Sequence, residues 1–277
     1  MVKHKIPQKL LVIIVVLLPV APLFAQFDFP PMGGRSAAMG GASVALRDDE
    51  SAQGNIAAIA WMRQVMVATA FRQTFVSEGF GTASLAASSP VGFGTAGLSF
   101  IHYGNSDYHE QQLSLLYALP VSRTVAMGVA FHYLHSGTSD AYYDPVNLLT
   151  FSAALQYSPT DELTVGFKTF NPFSVKLRDD LTFRTPALFT LGVAYRLIDE
   201  LLAVAEAEED LYNDATLRFG LEYSFLNNYA VRVGFNTNPV IYSFGVGMDF
   251  NHLGISLSAQ VHNVLGITPH LSAHYRF

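Results

Sequence analysis

The last eight residues, HLSAHYRF (270–277), decide how this chain folds. In an extended strand Leu271, Ala273, Tyr275 and Phe277 lie on one face, and two histidines, a serine and an arginine lie on the other. An apolar face that ends in aromatic residues, opposite a polar face, is typical of a strand that separates lipid from water. A half-buried strand of a soluble β-sandwich can show the same alternation, so the rest of the chain must show whether the pattern repeats.

The alternation recurs along the chain in about fourteen segments, most of them near the length that a tilted strand needs to cross a bilayer. The predicted strands cover residues 64–75, 80–91, 93–103, 109–120, 124–135, 148–158, 162–171, 185–196, 200–209, 215–225, 228–236, 241–250, 253–262 and 268–277. The connections after even-numbered strands are short, and those after odd-numbered strands are mostly longer. Bacterial outer-membrane barrels have this combination of short periplasmic turns and longer outer loops. We therefore predict an all-β fold, a closed antiparallel transmembrane β-barrel of about 14 strands with both termini in the periplasm.

Aromatic residues support the same fold. They occur near the ends of even-numbered strands and share the parity of each strand's apolar residues: Tyr117, Tyr157, Tyr195, Tyr223, Phe225, Phe250 and Tyr275. Such residues form the aromatic girdle at the lipid interface of a barrel. A soluble β-sandwich would not require aromatic residues at one end only.

The N-terminus predicts export from the cytoplasm. Three lysines precede an apolar run over residues 10–18, and the small residue Ala25 follows two prolines. This arrangement predicts a signal peptide over residues 1–25. A membrane anchor is disfavoured because the run is shorter than the roughly 20 apolar residues of a spanning helix. The remaining chain divides into an N-terminal segment, 26–63, and the barrel, 64–277.

Composition excludes several functions. The chain has no cysteine, so it is not a lipoprotein and has neither disulfides nor thiolate metal sites. Its formal net charge of −6 makes it a poor ligand for nucleic acid. Hydrophobic residues make up 50% of the chain although no stretch beyond the signal peptide approaches the length of a spanning helix, which suits apolar residues spread at a period of two.

Parity also predicts the lining of the barrel. The inward-facing charged and histidine residues are Arg72, Lys168, Glu206, Glu208, Arg218, Glu222, Arg232, Asp249, His262, His270, His274 and Arg276. Since about eight strands is the limit at which side chains fill a barrel, a barrel of fourteen is either plugged or open. The Gly- and Ala-rich segment 33–61 is the predicted plug, with a short helix capped near Asp48–Ser51. A disordered periplasmic tail is the alternative.

The segment Gly33–Ala60 resembles the N-terminal signature of the FadL-like barrels, in particular their PorV/PorQ branch. The matching residues are Met39-Gly40-Gly41-Ala42, the acids Asp48 and Asp49, and Asn55, while Ile56 stands where proline is usual. The resemblance implies a fourteen-strand barrel with a hatch inside it. The width of the barrel and the Gly- and Ala-rich composition further predict that Arg35, or Asp48 and Asp49, contact lumen charges. Separately, the aromatic C-terminus, Tyr275 and Phe277, resembles the signal that the barrel assembly machinery recognises.

No catalytic constellation stands out. His270 and His274 are four residues apart on one strand, about 13 Å between Cα atoms, which is too far for one metal ion. Neither GxSxG nor HExxH occurs. We therefore predict neither an enzyme, a metal site nor a cofactor.

Two functions stay open. The PorV/PorQ branch implies a non-enzymatic component of type IX secretion or cell-surface attachment, whose partners are secretion proteins or cargo. The fatty-acid branch implies a passive channel that moves a hydrophobic ligand through a side opening.

Two features of the predicted barrel bear on these functions. Gly94 and Gly97 on the third strand mark where the wall could kink to form a side opening. The loop after strand seven offers an apolar contact surface, or a lid over the mouth, through Phe173, Val175, Leu177, Leu181 and Phe183. The expected surroundings are outer-membrane lipid.

Overall fold

The computed structural model describes residue 27 and residues 29–140, 142, 144–174, 185–211, 213–226 and 228–277. The predicted signal peptide lies outside the described residues, as do four of the five predicted loop-contact residues: Val175, Leu177, Leu181 and Phe183. Within the described ranges, no helix is long and apolar enough to cross a membrane.

Fourteen antiparallel strands form one closed barrel, as predicted. The strands are β1 (Met66–Gln73), β2 (Gly81–Val91), β3 (Gly94–Gly104), β4 (Tyr108–Pro120), β5 (Val125–Thr138), β6 (Val146–Tyr157), β7 (Leu163–Phe170), β8 (Leu188–Ile198), β9 (Leu201–Asp210), β10 (Thr216–Phe225), β11 (Tyr229–Thr237), β12 (Val240–Phe250), β13 (Leu253–His262) and β14 (Gly266–Arg276). Each strand pairs with its neighbours in sequence, and β1 pairs with β14, Met66 opposite Arg276. The Phe277 N–H donates to the Val65 carbonyl at 3.0 Å, so the C-terminus closes the barrel. Closure pairs the two terminal strands with each other, so neither presents an open edge, which lipid would penalise.

Residues on the two faces of the wall differ in solvent exposure as the sequence alternation predicts. Leu271 and Tyr275 are 47% and 44% exposed, whereas their neighbour Ser272 is 1% exposed and faces inward. The predicted girdle residues are all exposed on the outer surface, and several touch, as Tyr223 and Phe225 do at a ring-centroid distance of 6.5 Å. An apolar outer face with an aromatic belt is the surface that a lipid bilayer requires.

The alternation of loop lengths is weaker than predicted. The connections after β3, β11 and β13 are as short as those at the opposite end of the barrel. Strands β5 and β6 are longer than predicted and reach Thr138 and Val146, which shortens the loop between them. Backbone pairing beyond the bilayer therefore replaces part of the expected outer loops.

The N-terminal segment, residues 29–65, contains a short helix α1 (Gly34–Ala38) and a 3-10 helix (Ile56–Trp61). The predicted helix start near Asp48–Ser51 is wrong, because those residues form turns. The 3-10 helix begins instead after Asn55, whose side chain accepts a hydrogen bond from the Ala57 N–H at 2.9 Å. Asparagine is a favoured N-cap because its side-chain oxygen satisfies such an amide.

Strand glycines make room for this segment. A Cβ atom added to any of six strand glycines would meet the segment within 3 Å: Gly128, Gly166, Gly192, Gly220, Gly234 and Gly245. At Gly128 the contacts are backbone atoms, Ala57 N at 2.7 Å and the Ile56 carbonyl carbon at 2.8 Å. The segment's own Met39, Val44 and Ile59 are fully buried. Because these glycines have no side chains, the backbone of the wall lies in close contact with the N-terminal segment.

Candidate functional site

Arg35 joins the N-terminal segment to the barrel wall. Its guanidinium donates to Glu222 of β10 at 2.8 and 2.6 Å and to Asp48 at 3.2 Å. Glu222 also accepts a hydrogen bond from Arg232 of β11 at 2.6 Å. Two of the lumen charges that parity predicts, Glu222 and Arg232, thus join Arg35 in one network. Paired and hydrogen-bonded charges of this kind are the form in which buried charges are stable.

A second anchor uses the segment's backbone. One oxygen of Glu206 accepts hydrogen bonds from the Ser43 and Val44 N–H groups, both at 2.7 Å. The other accepts from Arg218 at 2.8 Å, and Arg218 also contacts Glu208 at 2.6 Å. Lys168 donates to the Gly54 carbonyl at 3.0 Å. The wall therefore holds the segment at several separate points.

The third anchor lies beside the C-terminus. Arg276 contacts both Asp49 and Asp249, and His274 Nε2 lies 2.8 Å from Asp49. Asp49, Asp249 and His274 are close enough together to ligate a metal ion. The Arg276 guanidinium already places a cation against both carboxylates, so this cluster does not need one.

Two neighbouring acids of the segment, Asp49 and Glu50, have pKa shifts in opposite directions. Burial alone would raise the pKa of Asp49, but hydrogen bonds and charges from His274 and Arg276 outweigh burial and lower it. Burial, followed by the charge of Asp48, raises the pKa of Glu50. The charged form is therefore favoured at one position and disfavoured at the next.

A cavity of about 400 Å³ occupies the half of the lumen away from the termini. Its apolar lining includes Phe27, Phe29, Ile101 and Phe170. Phe27 is 1% exposed and packs with Leu134 and Leu148, while its N–H donates to Glu110 at 2.9 Å. The volume falls in the range of small-molecule sites in proteins.

The polar part of the same cavity centres on His132. Its Nδ1 lies 2.7 Å from Ser114 Oγ, and its Nε2 lies 2.8 Å from Ser152 Oγ. Both ring nitrogens thus have hydroxyl partners, and neither of these partners is the carboxylate that orients the histidine of a catalytic triad. Phe170 lies against the ring at a centroid distance of 5.3 Å. The arrangement can hydrogen-bond a ligand, since hydroxyl groups donate and accept.

The hydrogen bonding of the wall changes beyond the end of β7. The ladder between β6 and β7 ends at Ser152 and Phe170, although β6 itself extends outward to Val146. Buried Asn171 lies at this end and links β6 to the approach to β8. Its Oδ1 accepts from Thr150 at 2.8 Å, and its Nδ2 donates to the Thr185 and Pro186 carbonyls at 3.3 and 3.1 Å. The Asn171 N–H also donates to the Phe151 carbonyl at 3.0 Å. Among the residues described, this backbone bond and the side-chain hydrogen bonds of Asn171 are what links β6 to β8 beyond the ladder.

The wall at Gly94 and Gly97 is continuous. The pairing of β2 with β3 runs without a break from Thr82 to Val91, and that of β3 with β4 runs from Thr95 to Gly104. A Cβ atom at Gly97 would meet Ala87 O at 3.0 Å, an atom of the next strand, and none of its three nearest atoms belongs to the N-terminal segment. This structure thus has no gap at the position where the sequence suggested one.

The remaining predicted site residues lie as follows. Met39 packs under Gly220 and Gly234, and Gly40 has a positive φ of 73° close to the Phe235 carbonyl. Arg72 faces the cavity and donates to Thr82 at 3.2 Å. Phe173 is 78% exposed, and its ring lies tilted against that of Phe151 at a centroid distance of 5.6 Å. Sequence analysis missed Phe27, His132 and Asn171. Only the lumen parity of His132 could have indicated any of them.

Comparisons with known proteins identify the fold. No family model matches the sequence, and no curated protein is significantly similar to it. Among solved structures, the toluene transporter TbuX of Ralstonia pickettii is similar with a TM-score of 0.67 and 14% identity, over 91% of this chain and 100% of that one. A Pseudomonas aeruginosa FadL homologue has a TM-score of 0.66 and 14% identity, over 91% and 100%. The Pseudomonas putida toluene transporter TodX has a TM-score of 0.65 and 13% identity, over 90% and 97%. The chain therefore has the FadL-like fold, a closed fourteen-strand antiparallel barrel.

Proposed function

We propose that this chain is a passive outer-membrane channel for small hydrophobic molecules. The observation that carries the proposal is the cavity beside Phe27, whose lining includes a group of apolar side chains, inside a barrel whose fold is shared with two toluene transporters. A lumen that served only to hold the N-terminal segment would need charged anchors but no cavity with such an apolar side. The termini lie in the periplasm in this proposal, so the cavity faces the outside.

The N-terminal segment acts as the plug. Its anchors at Glu222, Glu206 and Arg276 hold it across the half of the lumen near the termini. A solute that enters the outer cavity meets this segment and has no straight path to the periplasm. It needs an exit through the wall.

We place the exit above β7, where the pairing of the described residues with β6 ends in one backbone hydrogen bond, from the Asn171 N–H to the Phe151 carbonyl at 3.0 Å. Apolar side chains lie on both sides of the wall here: the Phe27 cluster with Phe170 inside, and Leu149, which is 74% exposed, outside. Removing the Asn171 side chain would break three hydrogen bonds without disturbing a strand pair. A small apolar molecule could then pass from the cavity toward the lipid.

Uptake measurements test this function. A host that lacks its own hydrophobic channels would express the barrel, and initial uptake of radiolabelled toluene would be compared with a vector control. We expect faster, non-saturating uptake, because a passive channel adds a parallel path. Folded barrel in the outer membrane with uptake equal to the vector control would refute the proposal for this class of solute.

The exit is tested by Asn171→Gly. Asn171 has a φ of 49°, which glycine adopts without strain, so the variant removes hydrogen bonds and keeps the backbone. We expect faster toluene uptake than in the parent protein. Asn251→Gly is the matched control, since exposed Asn251 has a φ of 45° in a turn distant from the cavity. Equal uptake by both variants and the parent would contradict the exit above β7.

A component of type IX secretion or surface attachment is the second candidate function. The continuous pairing of β2, β3 and β4 favours it, since a wall sealed there leaves the outer rim as the exposed surface. Exposed Phe173 lies on that rim. Deleting the gene and comparing secreted and surface-attached proteins separates the two functions, because a solute channel would leave both sets unchanged.

A further inference from the structure

Three histidines converge on the outer surface of the barrel, away from the cavity and the anchors. His102 of β3, His109 of β4 and His135 of β5 all face outward near the end opposite the termini. The rings of His102 and His109 are 6.1 Å apart between centroids, and those of His109 and His135 are 5.6 Å apart. All three side chains are half-buried. Neither the fold nor the proposed channel requires them.

The strand register explains why the rings meet. His109 pairs with Gly104 on one side and with Gly137 on the other, so no side chain separates it from its diagonal neighbours. A Cβ atom at Gly137 would lie 3.0 Å from His109 Nε2 and 3.3 Å from His135 Nε2. Both nitrogens therefore face the same small space above a residue without a side chain.

The tautomer of His135 suits a ligand. Its Nδ1 lies 2.8 Å from Asn147 Oδ1, and that oxygen also accepts a hydrogen bond from the Tyr133 hydroxyl at 2.6 Å. An amide oxygen only accepts, so Nδ1 carries the proton and Nε2 presents its lone pair. Metal-binding histidines almost always donate the N–H of the other ring nitrogen to a hydrogen-bond acceptor, and Asn147 Oδ1 is such an acceptor.

We propose that His109 and His135, joined by His102, bind a divalent transition-metal ion that prefers imidazole, such as Zn²⁺, Cu²⁺ or Ni²⁺. With Zn–N bonds of about 2.0–2.1 Å, two imidazoles on one tetrahedral ion have centroids roughly 5 Å apart, close to the 5.6 Å of His109 and His135. His102 Nδ1 lies 3.3 Å from Gln111 Nε2, so His102 would give up this contact and rotate about its side-chain bonds to reach the ion. Water fills any remaining position. The ion would link three neighbouring strands at the rim.

Zinc binding tests the site. The purified, tag-free barrel in detergent would be titrated with ZnCl₂ by calorimetry, with a parallel measurement of the thermal unfolding midpoint. We expect one saturable site and a higher midpoint, because an ion that binds only the folded state stabilises it. His109→Ala and His135→Ala should each weaken binding at least about tenfold, and loss of the second-sphere amide in Asn147→Ala should weaken it about 10–100-fold.

The control is His252→Ala, which removes an exposed histidine at the opposite end of the barrel and should leave zinc affinity unchanged. Each variant must unfold at the parent's midpoint without zinc, which separates loss of a ligand from loss of folding. If His109→Ala alone fails this condition, the Asn147→Ala and His135→Ala titrations decide. No saturable binding by the parent overturns the proposal, and so does binding that His274→Ala abolishes while His109→Ala leaves it intact.

Discussion

Gly128 offers a direct test of how tightly the N-terminal segment is fitted to the wall. In Gly128→Ala the new methyl group would lie 2.7 Å from Ala57 N and 2.8 Å from the Ile56 carbonyl carbon. Both are backbone atoms of the 3-10 helix, so the helix must retreat by about 0.6–0.7 Å to reach an ordinary contact of 3.4 Å. Overpacking of this kind costs about 1–3 kcal/mol, and it weakens docking because the wall strand is folded whether or not the segment is docked. A cost of about 1–2 kcal/mol, in the lower part of this range, corresponds to roughly a 5–30-fold change in the docking equilibrium.

The assay uses the absence of cysteine from the chain. Ala60→Cys places a single thiol on the same helix at a residue that is 8% exposed. Maleimide labels such a thiol through local opening, so the rate follows the opening equilibrium. We expect Gly128→Ala to accelerate labelling about 5–30-fold.

The matched control is Gly81→Ala in β2. Its new methyl group would meet only side chains, Gln73 Oε1 at 3.3 Å and Phe71 at 3.5 Å, and labelling should change less than about twofold. Equal labelling rates in the two variants, with both barrels folded, would refute the claim that backbone contact with the wall positions the segment.

Two further predictions concern pH and adjacent residues. The lowered pKa of Asp49 means that its contribution to stability is present above its unfolded pKa of about 3.9 and is lost as the pH falls through the folded value. The thermal midpoint of the parent protein should therefore fall below about pH 4, and Asp49→Asn should flatten that fall; an unchanged slope would contradict the pairing with His274 and Arg276. The raised pKa of Glu50 has the opposite sign, since folding favours its protonated form and stability is lost as the pH rises through the folded value. Glu50→Gln should accordingly raise the midpoint at pH 8 and change it little near pH 4; a lower midpoint at pH 8 would show that the charged form is the stabilising one.

The wall of this protein is predictable from sequence because its signal is local. A strand exposes alternate residues to lipid and lumen, so the parity of Leu271 and Tyr275 against Ser272 could be read without a structure. The same rule placed Glu206, Arg218 and Glu222 inside. The preference for the PorV/PorQ branch had a weaker basis, a signature over about a tenth of the chain. The solved structures similar to this chain include two toluene transporters and a FadL homologue.

Tertiary structure alone determines the contacts between residues that are far apart in sequence. Parity puts Glu206 in the lumen, but only the docking of the segment brings its carboxylate to the Ser43 and Val44 amides. The stop in the ladder above β7 depends on where that strand ends, and a pattern of period two does not fix strand ends. His109 lies between Gly104 and Gly137 because of the register of three strands. Register depends on how the whole barrel closes. The sequence of a single strand therefore does not show which residue of the neighbouring strand lies opposite each of its own residues.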